Sequence, residues 1–389
     1  MRALVFGDAE DEGGLPLSLL EVDDPPLPGP DWVMLRTRMT GICGSDSKQV
    51  LMDFGDGDPT DNAMTAMISF PQILGHEVVA EVVDTGERVV LNPWLSCAPR
   101  GIEPVCPACA AGDLSLCWNF TEGRLAPGIH TGNSKDAPGG FGELVPAHRE
   151  TMTIPVPDSI ADEVAVLADP FSVALHAVSR TPPPAGGRAV VHGAGALGTC
   201  AVAILRALFP DVAVLAVARW PAQAALVESL GAHVIGHEPA EQVIDEIAAW
   251  SGSPLRRPWV GLPFAYPGHV DVVYDTIGTP QTVELGIRVL ASRGALVELG
   301  VNPPGRFEWT PLYFKEIRLV GSNAFGVEDV GGTRQHAMRH YLDLVERGMV
   351  DVSRMLTHTY PLEKWRDAFA AVSDQGSSGA IKVAFDFRN

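Results

Sequence analysis

The sequence predicts an α/β protein of two domains, the first mostly β and the second a doubly wound parallel sheet. Three observations carry this expectation. From residue 188 onward, short apolar runs rich in β-branched residues alternate with helical periodicity, the pattern of βαβ units. Before that point the chain reads as short strands between glycine- and proline-rich connectors. A length of 389 residues exceeds one ordinary domain and gives each of two an ample core.

In chain order, residues 2–6 and 32–38 read as strands, joined by the proline-rich connector 23–30. Asp53, Asp56, Asp58 and Asp61 fall in an acidic loop at 51–70 whose spacing does not match an EF-hand, so it reads as solvated. Residues 78–91 read as two strands around a turn at 84–87. Residues 119–143 are glycine- and proline-rich and read as loop. A helix is expected from Ile160 to Arg180, with Asp158 and Ser159 as its cap. The second domain opens with a buried-strand pattern at 188–192, a glycine turn at 193–198 and an apolar helix through Leu208. A strand at 212–218, a helix at 221–230 and a short strand at 232–235 follow. Residues 251–268, with four prolines and three glycines, read as loop. Further strands are expected at 270–274, 295–299, 317–320 and 381–385, and helices at 334–348 and 362–373.

Composition narrows the function classes. Hydrophobic residues make up 46% of the chain, a globular composition. A net charge of −20 argues against nucleic acid or an anionic membrane surface as partner. There is no apolar run of about 18 residues to span a membrane and no long apolar core of a signal peptide at the start. A cytoplasmic protein is expected, and there its six cysteines read as metal ligands or catalysts rather than disulfides.

The turn Gly193-Ala194-Gly195-Ala196-Leu197-Gly198 follows a strand and opens a helix, the context that gives a glycine triplet meaning. Gly193 makes the tight turn, Gly195 lets the backbone approach a pyrophosphate, and Gly198 lets the helix pack on the strand. The helix N-terminus then faces the phosphates. A glycine-rich turn without a ligand is the bland alternative. The second strand ends in Ala218-Arg219-Trp220 with no acid for a ribose 2′-hydroxyl, while Arg219 can pair with a 2′-phosphate. NADP is therefore expected over NAD; otherwise Arg219 is an exposed charge and nothing more.

Cys97, Cys106, Cys109 and Cys117 lie within 21 residues. The Cys106-Pro107-Ala108-Cys109 spacing lets two thiolates grip one tetrahedral ion, and with no histidine nearby the set reads as a closed structural zinc site. Free thiols are the alternative. Cys200, in the dinucleotide helix, reads as core. Gly75-His76-Glu77 stands at the mouth of an apolar, β-branched run. A histidine there can aim an imidazole nitrogen into a cleft, or simply pack at a turn.

Cys43, then Gly75-His76-Glu77, then the four-cysteine lobe, then the glycine turn, resemble in that order the zinc-dependent medium-chain alcohol dehydrogenases, most nearly their polyol and threonine dehydrogenase branch. The resemblance covers essentially the whole chain. It implies a GroES-like, mostly β catalytic domain over 1–172 with its zinc lobe at about 92–118, a Rossmann domain over 173–318, and a return to the catalytic domain over 319–389. It implies two zinc ions per chain, one structural and one catalytic. The catalytic ion would be held by Cys43, His76 and one further ligand. Asp169, in Ala168-Asp169-Pro170, takes the place of that ligand, directly or through water; Glu77 is the competing candidate, and a helix cap is Asp169's bland reading. Asp46 takes the place of the residue that orients His76. Ser45 takes that of the hydroxyl accepting the alcohol proton, and Lys48 stands where a relay histidine is usual, to bond the cofactor ribose or be solvated. Lys382 matches a basic residue near Glu77 or the cofactor phosphates. Eight residues separate Cys97 from Cys106, where two are usual, so the 100–104 region is expected to bulge outward.

The implied activity is reversible hydride transfer between a secondary alcohol or polyol and a nicotinamide cofactor, with zinc as Lewis acid. A homodimer or homotetramer acting on a small molecule is implied with it. Two rivals stand beside this reading. A zinc-free quinone or enoyl reductase of the same superfamily would not need Cys43, His76 or the lobe. A non-catalytic dinucleotide-binding protein would need only the glycine turn.

Overall fold

A computed structural model describes residues 1–7, 16–51, 63–300, 302 and 305–388. The core of the acidic loop, with Asp53, Asp56, Asp58 and Asp61, lies outside the described residues. The chain divides into two units. The first comprises Met1–Asp169, Phe325–Gly348 and Leu356–Asn389, and the second Pro170–Ala324 and Met349–Met355. The stretch 319–389 therefore does not return as one block, because 319–324 and Met349–Met355 belong to the second unit.

The first unit is built on a seven-stranded sheet whose longest member is Trp32–Gly41. That strand pairs antiparallel with Glu77–Val82, so that Gly41 faces Glu77. Where that pairing ends, it also pairs antiparallel with Lys382–Asp386, so that Gly41 faces Ala384. The last strand of the chain and the strand after His76 thus flank one glycine. Alternation sets the face: Val33, Leu35, Val78, Val82, Val89 and Val145 join one buried cluster. A second cluster gathers Leu4, Phe141, Trp365, Phe369 and Phe385, so the C-terminal helix and strand form core with the N-terminal strand.

The second unit holds a six-stranded sheet, parallel throughout. Its order is His233–Gly236, Ala213–Ala218, Arg188–His192, Val270–Asp275, Leu290–Glu298, Arg318–Gly321. Numbered as they appear in the chain these strands run 3-2-1-4-5-6, the doubly wound order whose crevice lies beyond the first and fourth strands. Both Arg188–His192 and Val270–Asp275 are apolar on both faces, as strands covered by helices must be.

Three local expectations are corrected. The helix expected over 160–180 is two, Asp162–Ala165 and Ala168–Arg180. Pro170 cannot sit in a helix interior and is accommodated in the first turn of the second piece. Ala161, not Asp158 or Ser159, is the N-cap of the first piece. There Asp162 is drawn into ion pairs with Arg38, Arg88 and Arg388, at 2.8, 2.9 and 3.4 Å. The helix expected from 334 begins at Ala337. Residues before it form the hairpin Val327–Val330 and Thr333–His336 around Gly331 and Gly332, both at positive φ. The 251–268 loop carries a small hairpin, Leu255–Arg256 with Phe264–Ala265, and is preceded by the helix Ala240–Ser251.

Candidate active site and metal centres

Cys43 follows the Trp32–Gly41 strand and caps the short helix Gly44–Val50. Its backbone N–H donates to Asp46 Oδ2 at 3.0 Å, which fixes both residues in the first turn. His76 is aimed by Gly75, whose φ is +90° and where a Cβ would lie 2.5 Å from the Phe141 ring. Glu77 opens the next strand. One ligand atom each from Cys43, His76 and Glu77 lie within 4.8 Å of one another. Asp46 is buried, with Oδ1 3.6 Å from His76 Nδ1.

The electrostatics of this cluster suit a cation. Burial works to lower the His76 pKa, yet Asp46 and Cys43 overcome it and hold the imidazole well above its ordinary value. Burial pushes Asp169 up to about 7, His76 pulling the other way and Glu77 adding to the rise. Asp169 is 5% exposed, and its Oδ2 has no hydrogen-bond partner. It thus feels the cluster without joining the closely spaced Cys43–His76–Glu77 group. A thiol, an imidazole and a carboxylate within 4.8 Å of one another are a donor set that zinc takes.

Lys382 is 4% exposed, and its ammonium pairs with the Glu77 carboxylate and donates to the Ile42 carbonyl at 3.1 Å. Burial opposes its charge, but Glu77 and Cys43 keep its pKa raised. Of the two places open to it, Lys382 takes the one on Glu77; an ammonium buried there is not presented to a cofactor phosphate. The pair meets across the intervening strand only because residue 41 is glycine. A Cβ there would collide with Glu77 Oε2 and stand 3.1 Å from Lys382 Cε. Ser45 is exposed on the Gly44–Val50 helix, and Lys48 lies one turn further along it.

His130 joins this site from the stretch read as loop. Its ring centroid is 4.6 Å from that of His76, and Trp94 meets its edge at 6.0 Å. Nδ1 is 2.7 Å from the Thr131 carbonyl oxygen. Burial first and His76 second push its pKa down to about 3. No spacing in the sequence links residues 76 and 130; only the fold does.

In the lobe, the sulfurs of Cys97, Cys106, Cys109 and Cys117 also lie within 4.8 Å of one another. The helix Pro107–Ala111 is capped by Cys106. Backbone N–H groups of Cys106, Cys109 and Asn119 point at the Cys97, Cys106 and Cys117 sulfurs at 3.3, 3.5 and 3.4 Å, and Asn119 Nδ2 reaches Cys97 at 3.1 Å. Such donors favour thiolates and orient metal ligands. The hydrogen bond from Cys117 draws the Cys109 thiol down to about 5, while Cys117 itself is held high. Residues 101 and 103–105 face solvent as the spacing predicts, but Arg100 turns inward and is 1% exposed. Its guanidinium donates to the carbonyls of Leu95, Glu122, Leu125, Ala126 and Gly128 at 2.7–3.1 Å.

In the second unit, Gly193 has φ +96°, and a Cβ there would lie 2.5 Å from Thr276 Oγ1. Gly195 caps the helix Ala196–Leu208 and has open space where a Cβ would be. A Cβ on Gly198 would collide with the Gly193 carbonyl. Ala196 and Leu197 form the first turn, with their backbone N–H groups at the positive end of the helix. The residues fit a pyrophosphate. Arg219, exposed past the end of Ala213–Ala218, lies over the Trp220 ring at 4.6 Å.

Known proteins resemble the chain over most of its length. Residues 29–158 match the family model of the alcohol dehydrogenase GroES-like domain, and residues 196–347 that of the zinc-binding dehydrogenases. The L-threonine 3-dehydrogenase of Chelativorans sp. (strain BNC1) is 26% identical over 100% of this chain and 99% of its own. The sorbitol dehydrogenase of Halalkalibacterium halodurans is 24% identical over 92% of each. A putative zinc-binding dehydrogenase from Sinorhizobium meliloti 1021, solved with NADP bound, superposes with a TM-score of 0.73 at 26% identity, covering 99% of this chain and 98% of that one.

The Gly41→Ala protein is expected to lose about 3 kcal/mol of stability, because the added methyl drives Glu77 and Lys382 apart inside the core. Urea unfolding monitored by circular dichroism measures this; a midpoint equal to that of the unaltered protein would show that the pair does not depend on the glycine.

Proposed function

We infer the activity of this chain from one premise: it belongs to the zinc-dependent medium-chain alcohol dehydrogenase family. It is an oxidoreductase that requires zinc and a nicotinamide cofactor and acts on a small-molecule alcohol. We propose further that the alcohol is secondary or a polyol, that each chain holds two zinc ions, and that NADP is preferred to NAD. The observation that carries the proposal is the convergence of Cys43, His76 and Glu77 to within 4.8 Å, with Asp46 behind the histidine.

When bound, zinc supplies a Lewis acid with an open coordination position and the nicotinamide supplies a hydride acceptor. The remaining work falls to residues of the chain. Cys43, His76 and Glu77 hold the metal, and Asp169 stands beside them as the alternative carboxylate. Asp46 fixes the ring of His76 through Nδ1. Lys382 holds Glu77 in place and keeps the buried carboxylate paired. Ser45 Oγ takes the proton of the alcohol, and Lys48, one turn along the helix, bonds the cofactor ribose. Gly193, Gly195, Ala196, Leu197 and Gly198 cradle the pyrophosphate, and Arg219 pairs with a 2′-phosphate. Cys97, Cys106, Cys109 and Cys117 hold the second, structural zinc.

The assembly we propose is a homodimer or homotetramer in the cytoplasm. None of the six cysteines is in a disulfide, which suits a reducing compartment. Among the described residues no helix is long and apolar enough to cross a membrane.

Replacing Cys43 with Ala is expected to lower zinc content, read by elemental analysis, from two per chain to one. Alcohol oxidation should fall at least about 1,000-fold, while NADPH binding persists. Turnover retained without the second zinc would refute this assignment. Arg219→Ala is expected to weaken NADPH by roughly 10- to 100-fold more than NADH, the loss of one charge-assisted contact. Fluorescence titration with both cofactors measures it; equal weakening would remove the argument for NADP.

A further inference from the structure

We propose that His130 positions the substrate, its Nε2 accepting a hydrogen bond from a donor that the substrate carries besides the reacting hydroxyl. The proposal rests on the alcohol dehydrogenase reading above and adds a residue that discriminates among alcohols.

The side chain is placed for the task. His130 lies against His76 with ring centroids 4.6 Å apart, so it borders the metal site. Its nitrogens do not join the Cys43–His76–Glu77 group, which leaves it beside the ligands rather than among them. The tautomer is fixed by a neighbour that only accepts. Nδ1 faces the Thr131 carbonyl at 2.7 Å and must carry a hydrogen, which leaves the imidazole's lone pair to Nε2. No described residue donates to Nε2. It is also not among the sealed polar atoms, which do include the neighbouring Trp94 Nε1. An acceptor that is reachable and unfilled selects a ligand with a donor.

The surroundings leave that ligand little choice. Trp94 borders His130 edge-on at 6.0 Å, and Phe325 lies 5.5 Å from Trp94. Phenylalanine offers no hydrogen bond and the indole only donates. On this wall, His130 is the group that accepts. It is also held rigidly. Arg100 Nη2 donates to the Gly128 carbonyl at 2.7 Å, two residues away, and Thr131 N donates to Pro93 at 2.8 Å. A rigid acceptor discriminates better than a mobile one, since little ordering is lost on binding.

The test uses three alcohols of one carbon skeleton: 2-butanol, 2,3-butanediol and 3-amino-2-butanol. His130→Phe keeps the ring and removes the acceptor; His130→Gln returns an acceptor. In His130→Phe, kcat/KM for the diol or amino alcohol relative to 2-butanol is expected to fall about tenfold, mainly through KM, as loss of one hydrogen bond predicts. His130→Gln should recover most of the ratio. Which of the two substrates loses its advantage identifies the donor. Calorimetric binding of the favoured compound to the zinc-loaded proteins without cofactor should weaken by the same factor, with zinc content equal in all three proteins. Equal losses on all three alcohols, an unchanged ratio, or identical behaviour of the Phe and Gln proteins would each overturn the proposal. If none of the alcohols is oxidised, the activity reading fails. The binding measurement still decides whether His130 makes the contact.

Discussion

The structure depends on a buried ion pair, Glu77 with Lys382, residues 305 apart in the chain. Two charges taken out of water cost more than they return unless they meet each other and find further partners. Here the ammonium also reaches the Ile42 carbonyl, one residue before Cys43. To close the pair, the last strand must run beside Trp32–Gly41 and leave a gap at Gly41 through which the two side chains touch. The strand ends so joined are those from which Cys43 and His76 project. One electrostatic requirement therefore sets the C-terminal topology, the glycine and the spacing of the donor set.

The cysteine lobe is tied to this site mechanically. Arg100, inside the turn that the long Cys97–Cys106 interval creates, gathers carbonyls from 95 to 128. The last of them belongs to the segment that delivers His130 to His76. A structural ion at the four sulfurs would thus hold the turn, the turn holds Arg100, and Arg100 holds the loop bordering the candidate catalytic centre. On its other side the lobe is fixed by the hairpin at 327–336, whose Val327 N donates to the Gly112 carbonyl at 2.9 Å.

Much of this was legible in the sequence, where chemistry is written in residue type and local spacing. Cysteines with two residues between them and a glycine triplet between strand and helix carry their meaning locally, whereas the histidine opening an apolar run takes its meaning from Cys43, the lobe and the glycine turn elsewhere in the chain. The parallel sheet was legible because covered strands are apolar on both faces. What was not legible depends on contacts distant in sequence. Nothing near His130 marks it, since its importance comes from the fold placing it on His76. Lys382 had two possible partners until the pairing with Gly41 chose one. Arg100 reads as a charge in an exposed bulge, yet carbonyls from a later loop make it a core residue. The break before Pro170 was written in the sequence, but apolar periodicity across 160–180 hid it.

The central claim is that the chain builds two chemically different zinc sites, one of four sulfurs and one mixed. Zinc K-edge X-ray absorption on the purified protein tests it most directly. The account predicts a first shell containing both sulfur and light nitrogen or oxygen scatterers. In His76→Ala protein the light-atom component should shrink while the sulfur component of the lobe stays. A shell of sulfur alone in the unaltered protein, or a light-atom component indifferent to His76, would contradict it.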